Sequence, residues 1–233
     1  MDTEIQSSSS TPPSRNGLTA EIYEVLKAEI TAGALKSRER LYETVLAKRF
    51  KTSRTPVREA LQRLVSEGLA ETRADGVCVA ALSVQDVRSL EQANRALQSL
   101  AAELAAGACS EVGTAQLEEL MARMEHCAAA HDLEGWMAAD HAIHRHLFQL
   151  SGNRWLLKLL LQMESLIGRV RHIALRRPGR LEESTRQHRA IVDAVKAHDA
   201  SAAHQAMHAH LVVTEQNLVE LLVLLEPLNS DRL

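Results

Sequence analysis

Apolar side chains recur at helical spacing along most of the chain, and this pattern predicts a largely α-helical protein. In the first such segment Ile22, Val25, Leu26 and Ile30 share one helical face, and Gly33 is a plausible stop. We therefore predict a first helix from about residue 18 to Gly33.

Two shorter helices, joined by a polar turn, are predicted next. The first directs Val45 and Leu46 inward. The second is capped by Ser53 or Thr55 and ends at Gly68. Two helices around a tight turn are typical of a helix-turn-helix.

A short hairpin closes this region. The segments 69–73 and 77–80 predict two strands, and Ala74-Asp75-Gly76 between them is typical of a turn. Three helices and a hairpin wing make a winged helix-turn-helix, which we assign to residues 17–82. Residues 1–16 are rich in Ser, Thr and Pro without a hydrophobic period, and we expect a disordered tail.

Long helical patterns fill the rest of the chain. The predicted helices span residues 84–107, 111–130, 133–151, 153–175, 181–198 and 200–226. They predict an all-α bundle of six or seven helices over 83–226, which we expect to bind metal and effector and to dimerise, followed by a C-terminal tail at 227–233.

Composition narrows the class of protein. Apolar residues make up 45% of the 233 residues and aromatic residues only 3%, which favours helices packed through aliphatic side chains. The apolar runs are too short to span a bilayer. Cys78, Cys109 and Cys127 match neither a disulfide framework nor a thiolate zinc site. We expect a cytoplasmic protein with no membrane partner.

The net charge of −3 conceals a local basic segment. Six basic residues lie between Lys48 and Arg63, against the single acid Glu59. Such a segment attracts phosphates. The alternative is a solvated helix face without a partner.

The residues of this basic segment that we expect to face outward lie at the start of the third helix. Arg54, Thr55 and Arg58 lie opposite Val57 and Leu61 on the helical wheel. In a helix-turn-helix, these N-terminal positions are nearest the base edges in the major groove. Arginine there pairs with guanine or phosphate, although ordinary surface charge would give the same spacing.

The third helix contains one long motif, which reads Ser53-Arg54-Thr55-Pro56-Val57-Arg58-Glu59-Ala60-Leu61 and is followed by Leu64 and Glu67-Gly68-Leu69. The motif closely resembles the signature of the GntR family of transcription regulators. The resemblance covers about residues 18–82 and implies operator binding by a winged helix. It implies DNA contacts at Arg54, Thr55 and Arg58, at Gly76 on the wing, and a phosphate contact at Ser53.

Three places depart from the family pattern. Ser37-Arg38 stands where Pro-Gly is usual, Thr44 where arginine is frequent, and Lys51 where glycine is usual. We therefore expect an operator preference that differs from that of other members.

Four residues of the helical domain form a candidate metal site. Asp140 and His144 lie one turn apart on an apolar stripe, and His188 and His210 fall on the inward faces of the last two helices. A buried carboxylate requires a cation or strong donors. One aspartate and three imidazoles are a credible shell for zinc or another divalent metal. The alternative is that each histidine is a hydrogen-bonded core residue.

The same region resembles the FCD effector domain of the FadR-like branch of the GntR family, over about 84–225. The markers are Arg95, Asp140-x3-His144, Ser151-Gly152-Asn153, His188 and Met207-x2-His210-Leu211. The resemblance implies that Asp140, His144, His188 and His210 bind a divalent metal. From their donor atoms we expect zinc, with nickel, manganese or iron as alternatives. Gln98 stands where the family usually has Glu.

Together these features predict a homodimeric transcription regulator, most simply a repressor, that binds double-stranded operator DNA. We expect an organic acid to bind in the bundle, its carboxylate completing the metal shell, with Arg95 and Asn153 as further polar contacts. One rival is a DNA-binding protein whose helical domain only dimerises and holds a structural metal or none. The other is a metal-dependent hydrolase, which would leave the recognition helix without a role, so we do not expect an enzyme.

Overall fold

The computed structural model describes residues 15–108, 110–174 and 179–230. The chain divides into two compact units, Met1–Ala81 and Leu82–Leu233. Residues 1–14 of the tail predicted at 1–16 lie outside the described residues. Its last two residues belong to the first helix, which begins at Arg15.

Three helices and a two-stranded hairpin form the described part of the first unit. They are α1 (Arg15–Thr31), α2 (Glu43–Arg49), α3 (Arg54–Ser66), β1 (Ala70–Arg73) and β2 (Gly76–Val79). The strands are antiparallel, with Ala70 opposite Val79 and Arg73 opposite Gly76. The predicted winged helix-turn-helix is confirmed.

The core of this unit lies between α1 and α3. Ile22, Leu26 and Ile30 of α1 and Val57 and Leu64 of α3 are fully buried. Burying such a side chain contributes roughly 1.5–3 kcal/mol. The packing therefore fixes which face of α3 remains exposed.

One prediction about α2 is wrong. Its inward pair is Leu46 and Ala47, whereas Val45 is 60% exposed. Neighbouring helical positions are about 100° apart, and the narrow buried face of this 7-residue helix takes only one neighbour of Leu46.

Two departures from the family pattern have a left-handed backbone. Arg38 has φ +67° and Lys51 has φ +51°. A side chain in this region costs about 1–2 kcal/mol, whereas glycine enters it without a steric penalty. The glycines usual at both positions thus have a conformational explanation, and this chain carries strain where they are absent.

Six helices form the described part of the second unit. They are α4 (Val84–Ala108), α5 (Glu111–Ala129), α6 (Leu133–Leu150), α7 (Arg154–Ala174), α8 (Arg180–Lys196) and α9 (Ala200–Ser230). The predicted all-α bundle is confirmed. The last helix continues to Ser230, past its predicted end at 226, and 231–233 of the predicted tail lie outside the described residues.

The bundle has one large apolar core. α4 packs along α9, and α5 packs against α6 and α8. Ala101 and Ala105 of α4 are fully buried in this core, together with Ile143 of α6, Ile191 of α8 and Met207 of α9. The small alanine side chains let α4 approach its neighbours closely. Across the described part of the chain, no helix combines the length and apolarity needed to cross a membrane.

Candidate DNA-binding face and metal centre

The residues predicted to contact DNA lie at the N-terminal end of α3 and on the hairpin. Ser53 is the N-cap residue of α3 and is exposed, with an extended backbone (φ −76°, ψ 168°). Arg54, Thr55 and Arg58 are also exposed. Gly76 begins β2 with φ +123°, a conformation that favours glycine.

Helix α3 and the β1–β2 hairpin, the predicted wing, border one surface of the first unit. A cleft of about 300 Å³ is lined by residues that include Arg54 of α3, Glu43 of α2 and Gly76 of the wing. Beside Gly76, Asp75 forms an ion pair with Arg40. The structure therefore brings Arg54 and Gly76, which are distant in sequence, to the same cleft.

Glu43, which the sequence analysis did not single out, joins the two arginines predicted to contact DNA. Arg58 donates from Nε to Oε1 at 2.8 Å and from Nη2 to Oε2 at 2.9 Å, and Arg54 Nη2 reaches Oε2 at 3.2 Å. Hydrogen bonding from Arg58, with a further contribution from Arg54, holds the pKa of the Glu43 carboxyl below its usual value. In the sequence, the one sign of this role is that Glu43 is an acidic residue at the start of α2, just before the basic segment.

Three histidines from three helices meet in the second unit. His144 of α6 and His210 of α9 are 3% exposed, and His188 of α8 is fully buried. One ring nitrogen from each lies within 4.8 Å of the others. His188 Nε2 is 3.1 Å from His144 Nε2, and the ring centroids of His188 and His210 are 4.4 Å apart.

Asp140 completes the group. Its Oδ1 lies 3.0 Å from His188 Nε2 and 3.8 Å from His144 Nε2, and its side chain is 13% exposed. The structure thus brings together the three histidines predicted to bind metal and places Asp140, the fourth predicted ligand, against two of them. Asp140 and His144 come from one helix face, as their spacing of four residues requires.

The outer ring nitrogens of two histidines face oxygen acceptors. His188 Nδ1 lies 2.8 Å from the backbone oxygen of Ser184, and His210 Nδ1 lies 2.9 Å from Gln187 Oε1. Since these oxygens only accept, each neutral ring carries its proton on Nδ1 and has its lone pair on Nε2. Histidines that bind metals donate their second ring N–H in this way.

This arrangement places two acceptors next to each other. Asp140 Oδ1 and His188 Nε2 are 3.0 Å apart, and with the proton on Nδ1 neither can donate to the other. A cation between them removes the repulsion. Three imidazole nitrogens and a carboxylate oxygen are also a donor set that suits zinc and similar divalent ions, so the residues fit such an ion.

Arg95 and Asn153, the two predicted effector contacts, are engaged in the bundle itself. Arg95 Nη1 donates to Glu215 Oε2 at 2.5 Å and links α4 to α9. Asn153 Oδ1 accepts from the backbone N–H groups of Trp155 and Leu156 at 3.1 Å, which caps α7. None of these contacts involves the four clustered residues.

Arg180 and Gln187 beside the cluster were also missed by the sequence analysis. Arg180 is only 4% exposed. The signal was present, because Arg180, Ser184, His188 and Ile191 continue one helical stripe. A charged residue at a helix start usually faces solvent, however, so the stripe alone does not identify Arg180 as buried.

Comparisons with known proteins agree with this architecture. The family model "Bacterial regulatory proteins, gntR family" matches residues 18–78, and the FCD domain model matches residues 89–212. The HTH-type transcriptional regulator YdhC of Bacillus subtilis is 33% identical over 194 residues, which cover 82% of this chain and 86% of YdhC. The HTH-type transcriptional repressor GlaR of Escherichia coli is 29% identical over 199 residues, covering 82% of this chain and 90% of GlaR.

Solved structures show the same fold. The structure titled E. coli McbR/YncC superposes with a TM-score of 0.72 at 24% identity, covering 88% of this chain and 97% of that one. A putative GntR regulator from Rhodococcus sp. RHA1 also gives a TM-score of 0.72, at 22% identity, with coverage of 87% and 97%. At these identities the likeness concerns the fold alone.

Proposed function

Because the chain belongs to the GntR family of bacterial regulatory proteins and carries an FCD domain, we propose that it is a homodimeric repressor controlled by a small carboxylic acid bound at a metal centre. Its relatives YdhC and GlaR are named as an HTH-type transcriptional regulator and an HTH-type transcriptional repressor, which supports a regulator over an enzyme. We assign DNA binding to residues 17–82, and metal binding, effector binding and dimerisation to residues 83–226. The proposed place of action is the cytoplasm.

The DNA-binding proposal rests on the exposed end of α3. Arg54 and Arg58 are placed to contact guanine edges or phosphates, and Thr55 offers a hydroxyl between them. Ser53 offers its hydroxyl to a phosphate. Gly76, without a side chain, lets the backbone of the wing approach DNA. Two such heads in a dimer would read paired half-sites.

The metal proposal rests on one observation, the 3.0 Å contact between Asp140 Oδ1 and His188 Nε2. In a neutral His188 ring, whose Nδ1–H points at the Ser184 carbonyl, neither atom can donate to the other, and a cation held between them explains the contact. Asp140, His144, His188 and His210 would hold the ion, and zinc suits their donor atoms best. A bound divalent ion would supply a fixed positive charge with positions open to an oxygen ligand.

The proposed effector is an acid, because such a centre attracts carboxylates. Arg95 and Asn153 stay proposed effector contacts on the basis of the family resemblance. Each would have to change or extend its present hydrogen bonds to bind the effector. Arg95 would have to exchange the carboxylate of Glu215 for that of the effector. Asn153 would have to use its Nδ2, because Oδ1 caps α7. Control of DNA binding then requires different effector affinities in two states of the dimer.

A thermal-shift screen of carboxylic acids tests this proposal, run once with Zn²⁺ and once with a chelator. An effector should raise the melting temperature only when metal is present. The same acid should change the Kd for DNA flanking the protein's own gene by about tenfold, which corresponds to a coupling free energy of about 1.4 kcal/mol. His210→Ala should abolish both effects, and Arg123→Ala, at an exposed position of α5, should preserve them.

If acids stabilised the protein equally with metal and with chelator, or if His210→Ala responded like the wild type, the metal-centred sensing mechanism would be wrong. A helical domain that only dimerises would give no response to any acid. In either case the assignment of the DNA-binding unit would stand.

A further inference from the structure

A buried arginine lies beside the histidine cluster. Arg180, the first residue of α8, is 4% exposed. A buried guanidinium is costly unless its N–H groups find acceptors. Arg180 donates to Glu183 Oε2 at 3.2 Å, to Gln187 Oε1 at 3.4 Å and to Thr214 Oγ1 at 3.2 Å. Two of these acceptors lead directly to His210.

The first connection runs through Gln187. Its Oε1 lies 3.4 Å from Arg180 Nη1 and 2.9 Å from His210 Nδ1. The guanidinium only donates, so it favours the orientation in which the amide oxygen points toward both groups. A reversed amide would direct its NH2 group at a guanidinium. Arg180 thereby fixes Gln187 as an acceptor for the proton on His210 Nδ1.

The second connection runs through Thr214, one turn after His210 on α9. Its Oγ1 accepts from Arg180 Nη2 at 3.2 Å and donates to the backbone oxygen of His210 at 3.0 Å. Arg180 is therefore tied to the ring of His210 through one side chain and to its backbone through another.

We infer that Arg180 and Gln187 are positioning residues that hold His210 with its Nε2 lone pair directed into the cluster. This inference rests on the proposed metal centre and goes beyond its ligands. Hydrogen-bond partners of metal-binding histidines fix the protonated nitrogen and the ring orientation, and their removal typically lowers metal affinity by about 10- to 100-fold.

A purely structural clamp between α8 and α9 would use the same contacts, so the test must separate acceptor chemistry from packing. Gln187→Met keeps the length of the side chain and removes the amide oxygen. Gln187→Glu keeps an oxygen acceptor for His210 Nδ1 and for Arg180. Gln205→Met, at an exposed position of α9, is the matched control.

The experiment measures the Zn²⁺ Kd of the untagged, full-length, metal-free chains by competition with a chromophoric chelator. Gln187→Met should bind Zn²⁺ about 10- to 100-fold more weakly than the wild type, and Gln187→Glu should restore most of the loss. Gln205→Met should match the wild type. The absorption spectrum of bound Co²⁺ should change in Gln187→Met and be close to that of the wild type in Gln187→Glu.

Equal zinc affinity in the wild type and Gln187→Met would overturn the inference, and so would equal losses in Gln187→Met and Gln187→Glu. Thr214→Val, which removes the second connection, gives an independent reading if Gln187→Met does not fold, and unchanged affinity there would also count against it. Failure of the metal centre itself is distinguishable, because the wild type would then bind no zinc.

Discussion

The carboxylate of Glu43 and the guanidinium of Arg58 form a two-point contact, with distances of 2.8 Å from Nε to Oε1 and 2.9 Å from Nη2 to Oε2. An exposed ion pair of this kind contributes little to stability, because solvent screens its charges. Its planar geometry does fix the direction of the guanidinium. Because Arg54 shares the carboxylate, α2 supports both of the α3 arginines that we propose to contact DNA.

Arg58→Ala should weaken operator binding by about tenfold or more, because a good arginine contact to a base contributes about 1–3 kcal/mol. A mobility-shift assay with DNA flanking the protein's own gene measures the effect. Arg123→Ala removes an exposed arginine from α5 and serves as the control. Unaltered affinity of Arg58→Ala at several salt concentrations would argue against the assigned recognition helix.

Glu43→Gln should reduce the preference for operator over random DNA. The substitution removes a negative charge near the phosphates, so binding to random DNA becomes tighter, while the arginines lose the partner that orients them. The ratio of the two Kd values is the measurement. Glu21→Gln, an exposed acid of α1, removes the same charge without touching the arginines. A ratio that stays at the wild-type value in Glu43→Gln would refute this role.

Lys51→Gly should stabilise the first unit by about 0.5–1 kcal/mol, because relief of left-handed strain outweighs the added flexibility of glycine in the unfolded chain. Lys48→Gly removes the same charge from inside α2 and should destabilise by about 1 kcal/mol. Urea denaturation of both variants measures the difference. The explanation fails if the two substitutions shift stability in the same direction.

Glu118→Gln should destabilise the bundle at neutral pH but not in acid. Hydrogen bonds from Lys196 and Arg189 hold the pKa of the Glu118 carboxyl below its usual value of 4.5. A lowered pKa contributes stability above the unfolded value, and this contribution is lost as pH falls through the folded value. The expected loss at pH 7 is about 0.2–1 kcal/mol, since the pair is partly exposed.

Urea titrations of the wild type and Glu118→Gln between pH 7 and pH 3 check this sign. The difference in unfolding free energy should shrink below about pH 5. A constant difference across this range would mean that the lost stability is not due to the charge of Glu118.

Helix positions and the four clustered residues were predictable because both depend on local periodicity. Gly33 and Gly68 both follow helices that end close before them, at Thr31 and Ser66. Each candidate ligand falls on an apolar helical stripe, and such a stripe faces the core. The expected positions of Asp140 and His144 needed nothing beyond the helical repeat.

The contacts between helices could not be predicted in the same way. Gln187 meets His210 only because α8 and α9 cross at that level, and no spacing along the chain encodes the crossing. Glu43 likewise reaches Arg58 through the packing of α2 on α3. The error at Val45 has a related cause, since a short helix has too few turns for periodicity to identify its buried face.

Metal analysis of the untagged protein tests the central claim most directly. We predict one zinc or other divalent ion per chain in the wild type, and a loss of metal in both His188→Ala and His210→Ala with the helical fold retained. Absence of stoichiometric metal from the wild type after incubation with Zn²⁺, with thermal stability unchanged in both variants, would contradict the account and leave the histidines as core residues.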